Sequence, residues 1–263
     1  MFRRSFLQAT AIAAALAFTA QAQAADLTVG ANIGNVPWEF QDDSGAFVGF
    51  EIDLATEIAA RLGRDLKLEN IPFNGLFSAV QSGRIDMAMS SITITQKRLA
   101  EVSFAQAYYD SDQSLTVTAA SGLKGLADMS GKIIGVDTGS TGDMWATENQ
   151  AKYGLAEIRR YEGLAPAMLD LVNGRVDGYI SDIPALQYYA KDKPELLVAE
   201  RILTGEQYSM MFAKDAPLAA EVSAILTTLK QEGFVAATHK KWFGADPEPA
   251  TSTATVLDMP KLQ

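Results

Sequence analysis

The 263-residue chain has no cysteine and a single histidine. Lack of cysteine excludes a disulfide framework, a thiolate metal site and a lipid anchor on cysteine, so the fold must stand on packing alone. Lack of histidine removes histidine-based catalytic triads and most zinc sites. The one example, His239, lies beside Lys240 and Lys241 in a C-terminal helical pattern and reads as a surface residue. Basic residues are few, 22 against 32 acidic ones, for a formal charge of −10. A field this acidic does not attract nucleic acid or anionic lipid, so neither is an expected partner. Long apolar runs are missing too. The stretch from Phe6 to Ala20 is too short and alanine-rich for a stable span, so no direct membrane insertion is expected.

That stretch has another use. Arg3 and Arg4, the run after them and the small-x-small triplet Ala22-Gln23-Ala24 have the form of a signal peptide over residues 1–24. Arg3-Arg4-Ser5-Phe6-Leu7 fits a twin-arginine signal and an ordinary secretory signal equally well. Cleavage removes two positive charges and no acid, taking −10 to −12. Hydrophobic content of 48% sets the remainder among globular chains.

Strand and helix patterns alternate. Leu27–Gly30 reads as a strand, 49–62 as a helix ended by Gly63, 65–70 as a strand and 76–81 as a helix, which predicts an α/β fold with mainly parallel sheets. The pattern occurs twice. QSGRIDMAMSSI at 81–92 aligns with VNGRVDGYISDI at 172–183 at an offset of 91, matching Gly83 with Gly174, Arg84 with Arg175, Asp86 with Asp177 and Ser90 with Ser181. A weaker match pairs LTVGANIG at 27–34 with KIIGVDTG at 132–139. Two similar lobes are implied. In each, a strand ends in small polar residues, and ligands of open α/β sheets bind beyond the carboxyl ends of strands. Tyr108–Asp112 and Thr204–Tyr208 read as two crossings between the lobes, hence a hinge. The boundaries that follow are 25–110 with 207–247 for lobe 1, 111–206 for lobe 2, and a flexible Pro-, Ala- and Thr-rich tail at 248–263, loose or draped over lobe 1.

One short stretch is chemically odd. An apolar run breaks into Ser90, Ser91, Thr93 and Thr95 and ends at Arg98. Burying a hydroxyl without a partner costs roughly 1–3 kcal/mol, so such a cluster faces water, caps a helix or holds a ligand.

Four stretches, in order over residues 27–245, resemble the periplasmic solute-binding proteins of ABC importers for polar amino acids. They are Val36–Phe40 with Gly49–Leu54; Ser91–Arg98; Gly131–Val136 with Gly139–Gly142; and Lys240–Gly244. The resemblance implies a two-lobed periplasmic binding fold of type II, with a ligand cleft between the lobes. It implies a soluble periplasmic receptor that captures a free amino acid by closure and delivers it to permease subunits, with no metal or cofactor; a monomer is the simplest state. Arg98 is then a fork for the ligand α-carboxylate, with a helix-cap or surface arginine as the alternative. Backbone N–H groups of Ser140 and Thr141 receive the same carboxylate, or simply cap a helix. Asp182 pairs with the α-ammonium, helped by the Ser91 carbonyl and Thr93 hydroxyl, or else caps the helix after it. Phe73 is an aromatic wall or a core residue. Asn32, Asn35 and Asp137 depart from the acidic, aromatic, apolar or basic residues frequent at those positions, and favour a polar or cationic side chain such as glutamine, ornithine or arginine. Trp38 and Glu39 read as supports of the fold.

Two alternatives share the cleft. The family includes dehydratases of cyclohexadienyl acids, arogenate among them, in which a carboxyl group protonates a leaving hydroxyl; Asp137, Asp182 or Glu39 would serve. A ligand-presenting sensor component is the other.

Overall fold

In the computed structural model, which describes residues 25–263, the chain forms two five-stranded sheets joined by a pair of long strands. The leader expected at 1–24 lies outside the described residues. The first segment supplies β1 (Leu27–Ala31), the short pair β2 (Phe40–Gln41) and β3 (Phe47–Val48), α1 (Phe50–Leu62), β4 (Leu66–Asn70), α2 (Phe73–Gln81), β5 (Met87–Ala88), α3 (Gln96–Glu101) and β6 (Val102–Phe104). The second supplies β7 (Tyr109–Thr118), β8 (Ile133–Asp137), α4 (Thr141–Tyr153), β9 (Glu157–Tyr161), α5 (Leu164–Val172), β10 (Gly178–Asp182), α6 (Ile183–Ala190) and β11 (Leu196–Tyr208). The chain then rejoins the first sheet with β12 (Met211–Ala213) and closes with α7 (Leu218–Gln231) and α8 (Phe234–Phe243). Strand orders are β4-β1-β5-β12-β6 and β11-β7-β10-β8-β9.

The sequence repeat corresponds to a repeated unit of structure. β1 runs parallel to β4 and β5, as β8 does to β9 and β10. In the first copy the Asp86 N–H donates to the Thr28 carbonyl at 2.8 Å, and Asp86 Oδ2 accepts the Thr28 N–H at 2.9 Å. Asp177 repeats both bonds with Ile133, each at 2.8 Å. Thr28 and Ile133 are aligned partners of the weaker sequence match, so both repeats describe one unit in which a reciprocal aspartate starts the last strand. Gly83 and Gly174, at φ 72° and 69°, turn the preceding helix into that strand through a left-handed conformation that a β-carbon disfavours.

Packing sets the two halves apart. One core gathers Trp38, Phe50, Tyr108, Tyr208 and Phe212, all fully buried; another gathers Leu115, Val117, Ile134, Val136 and Ile180. Burying one such side chain stabilises by roughly 1.5–3 kcal/mol. Gly49, at φ 141°, lets α1 begin against this core, because a β-carbon there would stand 2.1 Å from the Trp38 carbonyl oxygen. Between the halves β7 and β11 pair antiparallel, with Tyr109 opposite Tyr208, Asp110 opposite Gln207 and Ser111 opposite Glu206.

One reading needs correction. His239 is half-buried rather than on the surface, its ring stacked on Tyr109 at 5.7 Å and close to Phe243, since α8 turns that face toward the aromatic core. The tail, expected to be loose or draped over lobe 1, lies against the first half through specific bonds. Asp110 accepts the Ser252 N–H at 2.7 Å and the Ser252 hydroxyl, and the Lys230 ammonium donates to the Thr255 carbonyl at 2.9 Å. Composition alone does not reveal such pairs. No helix among the described residues is long and apolar enough to cross a membrane.

Candidate functional site

The carboxyl ends of β5 and β10 face each other across the two halves, and the loops beyond them line one cavity. Its walls include Asn32, Asn35, Phe73, Ser91, Thr93 and Arg98 from the first half and Asp137, Ser140, Thr141 and Asp182 from the second. Every sequence-predicted site residue is therefore at one place, joined by Ser90 and Ser181. The two halves touch across it. Arg98 Nη2 donates to the Gly139 carbonyl at 3.2 Å, the Ser91 hydroxyl to Asp182 Oδ2 at 3.3 Å, and the Thr93 and Thr141 hydroxyls lie 3.4 Å apart.

Arg98 is fixed from several sides. Thr95 caps α3 by accepting the Arg98 N–H at 3.1 Å, and Arg98 Nη1 donates to the Thr93 carbonyl at 2.7 Å. Its guanidinium lies over Phe73 and Phe77, 5.6 and 5.1 Å from the ring centres. It is only 8% exposed, so the helix-cap and surface alternatives do not describe its side chain. Burial lowers its pKa to about 10, against the charges of Glu206 and Asp182, and it remains cationic at neutral pH. Phe73 thus meets Arg98 as well as the core around Phe77.

At the start of α4, Ser140 acts as the N-cap by accepting the Asp143 N–H at 3.0 Å. Its own N–H donates to the Asp137 carbonyl at 3.1 Å, so of the two N–H groups named for a carboxylate, that of Ser140 is already engaged. Thr141 begins the helix, where N–H groups have no partner inside the helix.

The acidic side is richer than the sequence suggested. Burial first, and the Glu206 charge second, push Asp182 up to about 7, while Gln113 and Ser91 donate to it and pull it back. Burial likewise pushes Asp137 up to about 6, although it accepts the Gly163 N–H at 3.0 Å. Glu206, in β11 and 7% exposed, accepts from the Thr93 hydroxyl at 2.6 Å, the Thr141 hydroxyl at 2.9 Å and Gln113 at 3.0 Å. Neither Glu206 nor Gln113 was singled out from the sequence. The signal was an acid two residues before Tyr208 on the inward face of a strand, where period-two alternation demands a buried side chain. Asn35 donates to Glu39 at 3.2 Å and to the Ser91 hydroxyl at 3.1 Å, leaving its carbonyl oxygen to accept.

The model of the bacterial extracellular solute-binding proteins, family 3, matches residues 27–245. This chain belongs to that family. Among curated relatives it is 28% identical to the L-cystine-binding protein TcyJ of Escherichia coli, covering 80% of this chain and 79% of that one. It is 25% identical to the arginine-binding extracellular protein ArtP of Bacillus subtilis, covering 82% and 86%. Among solved structures, the arginine-, lysine-, histidine-binding protein ArtJ of Geobacillus stearothermophilus superposes with a TM-score of 0.79 at 33% identity, covering 85% of this chain and 97% of that one. A Streptococcus pneumoniae uptake-transporter binding protein with bound histidine gives 0.80 at 28% identity, covering 84% and 93%. The fold is thus the two-lobed one of this solute-binding family, and the role is that of an extracytoplasmic binding receptor. The matched family and its relatives are binding proteins, which leaves the dehydratase alternative without support.

Proposed function

We propose that this chain closes on a free polar or basic amino acid in the periplasm and passes it, as a monomer, to the permease subunits of an ABC importer. Residues 25–110 with 207–247 form one jaw and 111–206 the other, hinged at the two crossings. The observation that carries the reading is the charge around the cleft: one guanidinium, Arg98, against Asp182, Asp137 and Glu206. A zwitterion lays its α-carboxylate on the Arg98 fork and its α-ammonium on Asp182. The acids left over, with the acceptor oxygen of Asn35, suit a second cation or amide on the ligand side chain. An acidic ligand meets repulsion from Asp137. Names of the relatives, which bind arginine, histidine or cystine, point the same way. With desolvated charge pairs on both jaws, the expected affinity is micromolar or tighter, about −8 kcal/mol or better.

The test is a thermal-shift screen of protein unfolded and refolded to strip carried-over ligand. A ligand that binds only the folded state raises the melting temperature. Arginine, ornithine or glutamine is expected to do so, and the shift to vanish in Arg98→Ala and Asp182→Ala. A preference for glutamate, or no response to any amino acid, overturns the reading.

A further inference from the structure

Behind the Ser90–Ser91 turn stand two carboxyl groups that the ligand reading does not use. Glu39 is 0% and Glu51 1% exposed. Val29, Ala31, Ile52, Ala55, Leu68 and Met89 surround them with apolar surface. One oxygen of each is committed: Glu39 Oε1 accepts from Asn35 Nδ2 and the Ser90 hydroxyl, and Glu51 Oε1 from the Ser91 N–H at 2.8 Å and the Tyr108 hydroxyl. The remaining oxygen of each, Oε2, is buried with no partner, and the two carboxyl groups share one small cavity walled by those apolar side chains. The charged and titratable groups acting on them are each other and Tyr108, which also feels Asp182; no basic group is among them. Two carboxylates cannot both ionise in so dry a place without a cation.

We propose that Glu39 and Glu51 hold one proton between their Oε2 atoms, Glu39 as the acid and Glu51 as the carboxylate, and that this bridge is the positioning element for the lobe-1 wall of the cleft. The assignment satisfies every oxygen: Glu39 donates to Glu51, and Glu51 then accepts three bonds. Burial and the neighbouring Glu51 charge raise Glu39 well above the carboxylate range, in the same direction. What the bridge positions is specific. Ser91 holds φ 44°, a left-handed backbone that a side chain disfavours, and its N–H is anchored on Glu51. That conformation aims the Ser91 hydroxyl at Asp182, while Glu39 orients the Asn35 amide that also reaches Ser91. The positioning role rests on the amino acid reading above; the shared proton does not.

Infrared spectroscopy of protein carrying side-chain-labelled glutamate tests the proton directly, since the label separates it from Asp137 and Asp182. A protonated glutamic acid carbonyl band is expected near neutral pH, and it should vanish in Glu39→Gln and in Glu51→Gln. Absence of the band, or its survival in both variants, overturns the bridge. Calorimetric titration with L-arginine tests the positioning. Glu51→Ala, which frees the Ser91 N–H, is expected to weaken binding about tenfold, and Glu51→Gln to recover most of that loss. Unchanged affinity in Glu51→Ala overturns the role. Should that variant not fold, the double variant Glu39→Gln with Glu51→Gln decides, because two amides with outer oxygens committed set N–H against N–H. A loss larger than the two single losses combined supports the bridge, and an additive loss overturns it. If wild-type protein binds no amino acid, the functional reading fails while the infrared result still decides the proton.

Discussion

Arg98 and Asp182 stand on opposite jaws, and each is exposed to a consequence of losing the other's company. Truncating one member of a desolvated charge pair with a ligand typically costs 2–5 kcal/mol, so Arg98→Ala and Asp182→Asn should each weaken amino acid binding by about that much in calorimetry. The pH dependence has a definite sign. Asp182 is pushed up to about 7 in the fold, above an ordinary aspartate of about 3.9. Between those values the folded chain keeps a proton that the unfolded chain has released, so ligand-free stability should fall as pH rises across that window. An ammonium on Asp182 favours the carboxylate instead. Affinity should therefore weaken as pH drops below about 7, with a proton released on binding near pH 6 and almost none near pH 8, as two buffers of different ionisation heat would reveal. Glu206→Gln removes the charge that helps raise Asp182 and should move this profile to lower pH. A flat profile in wild type would show that Asp182 meets no cation. Thr93 and Arg98 could be named from the sequence because they share one contiguous motif, and Asp182 because it closes the repeated stretch at 172–183. Glu206 could not, because its partners Thr93, Gln113 and Thr141 are 113, 93 and 65 residues away.

At the scale of elements, two backbone requirements are open to test. Gly49 combines φ 141° with a backbone oxygen 2.1 Å from a β-carbon position. Gly49→Ala should destabilise the fold by about 2–4 kcal/mol in denaturant titration, because neither the dihedral nor the Trp38 carbonyl can yield cheaply. Asp86 and Asp177 make matching reciprocal bonds at the start of β5 and β10. Replacing either by Ala should cost about 1 kcal/mol, the net worth of one such bond, and the two losses should be similar. A large difference between them would show that the two copies share geometry but not energetics. Here the sequence was informative. Gly, Arg and Asp at fixed spacing are local signals for helix end, turn and strand start, and local signals survive in a one-dimensional reading. The helix expected from about 76 runs over Phe73–Gln81, entered from the extended backbone of Pro72.

For the whole molecule, the tail is the feature whose two expected courses, loose or draped, the tertiary contacts separate. Lys230 Nζ donates to Gln106 Oε1 at 2.8 Å, the Ala107 carbonyl at 2.7 Å and the Thr255 carbonyl, and Gln106 Oε1 also accepts the Leu257 N–H at 3.1 Å. Ser252 ties to Asp110 and accepts from Gln207 at 2.8 Å, so the tail spans both crossing strands. Truncation after residue 247 should lower stability by about 2–3 kcal/mol by thermal unfolding, since it takes the Thr255 carbonyl from the buried Lys230 and both Ser252 bonds from the half-buried Asp110. An unchanged melting temperature would return the tail to the loose state that its Pro, Ala and Thr content suggested. By itself, the sequence determined the α/β class, the doubled unit, the family and the set of residues at the cleft, because periodicity, turn residues and short motifs are carried by neighbours in the chain. Only the tertiary structure decided what stands behind those residues: Glu206 beneath two hydroxyls, Glu39 against Glu51, the aromatic seat of His239 and the bonded tail. Those depend on which distant atoms share a dry space, and burial and charge pairing are properties of that space rather than of any stretch of chain.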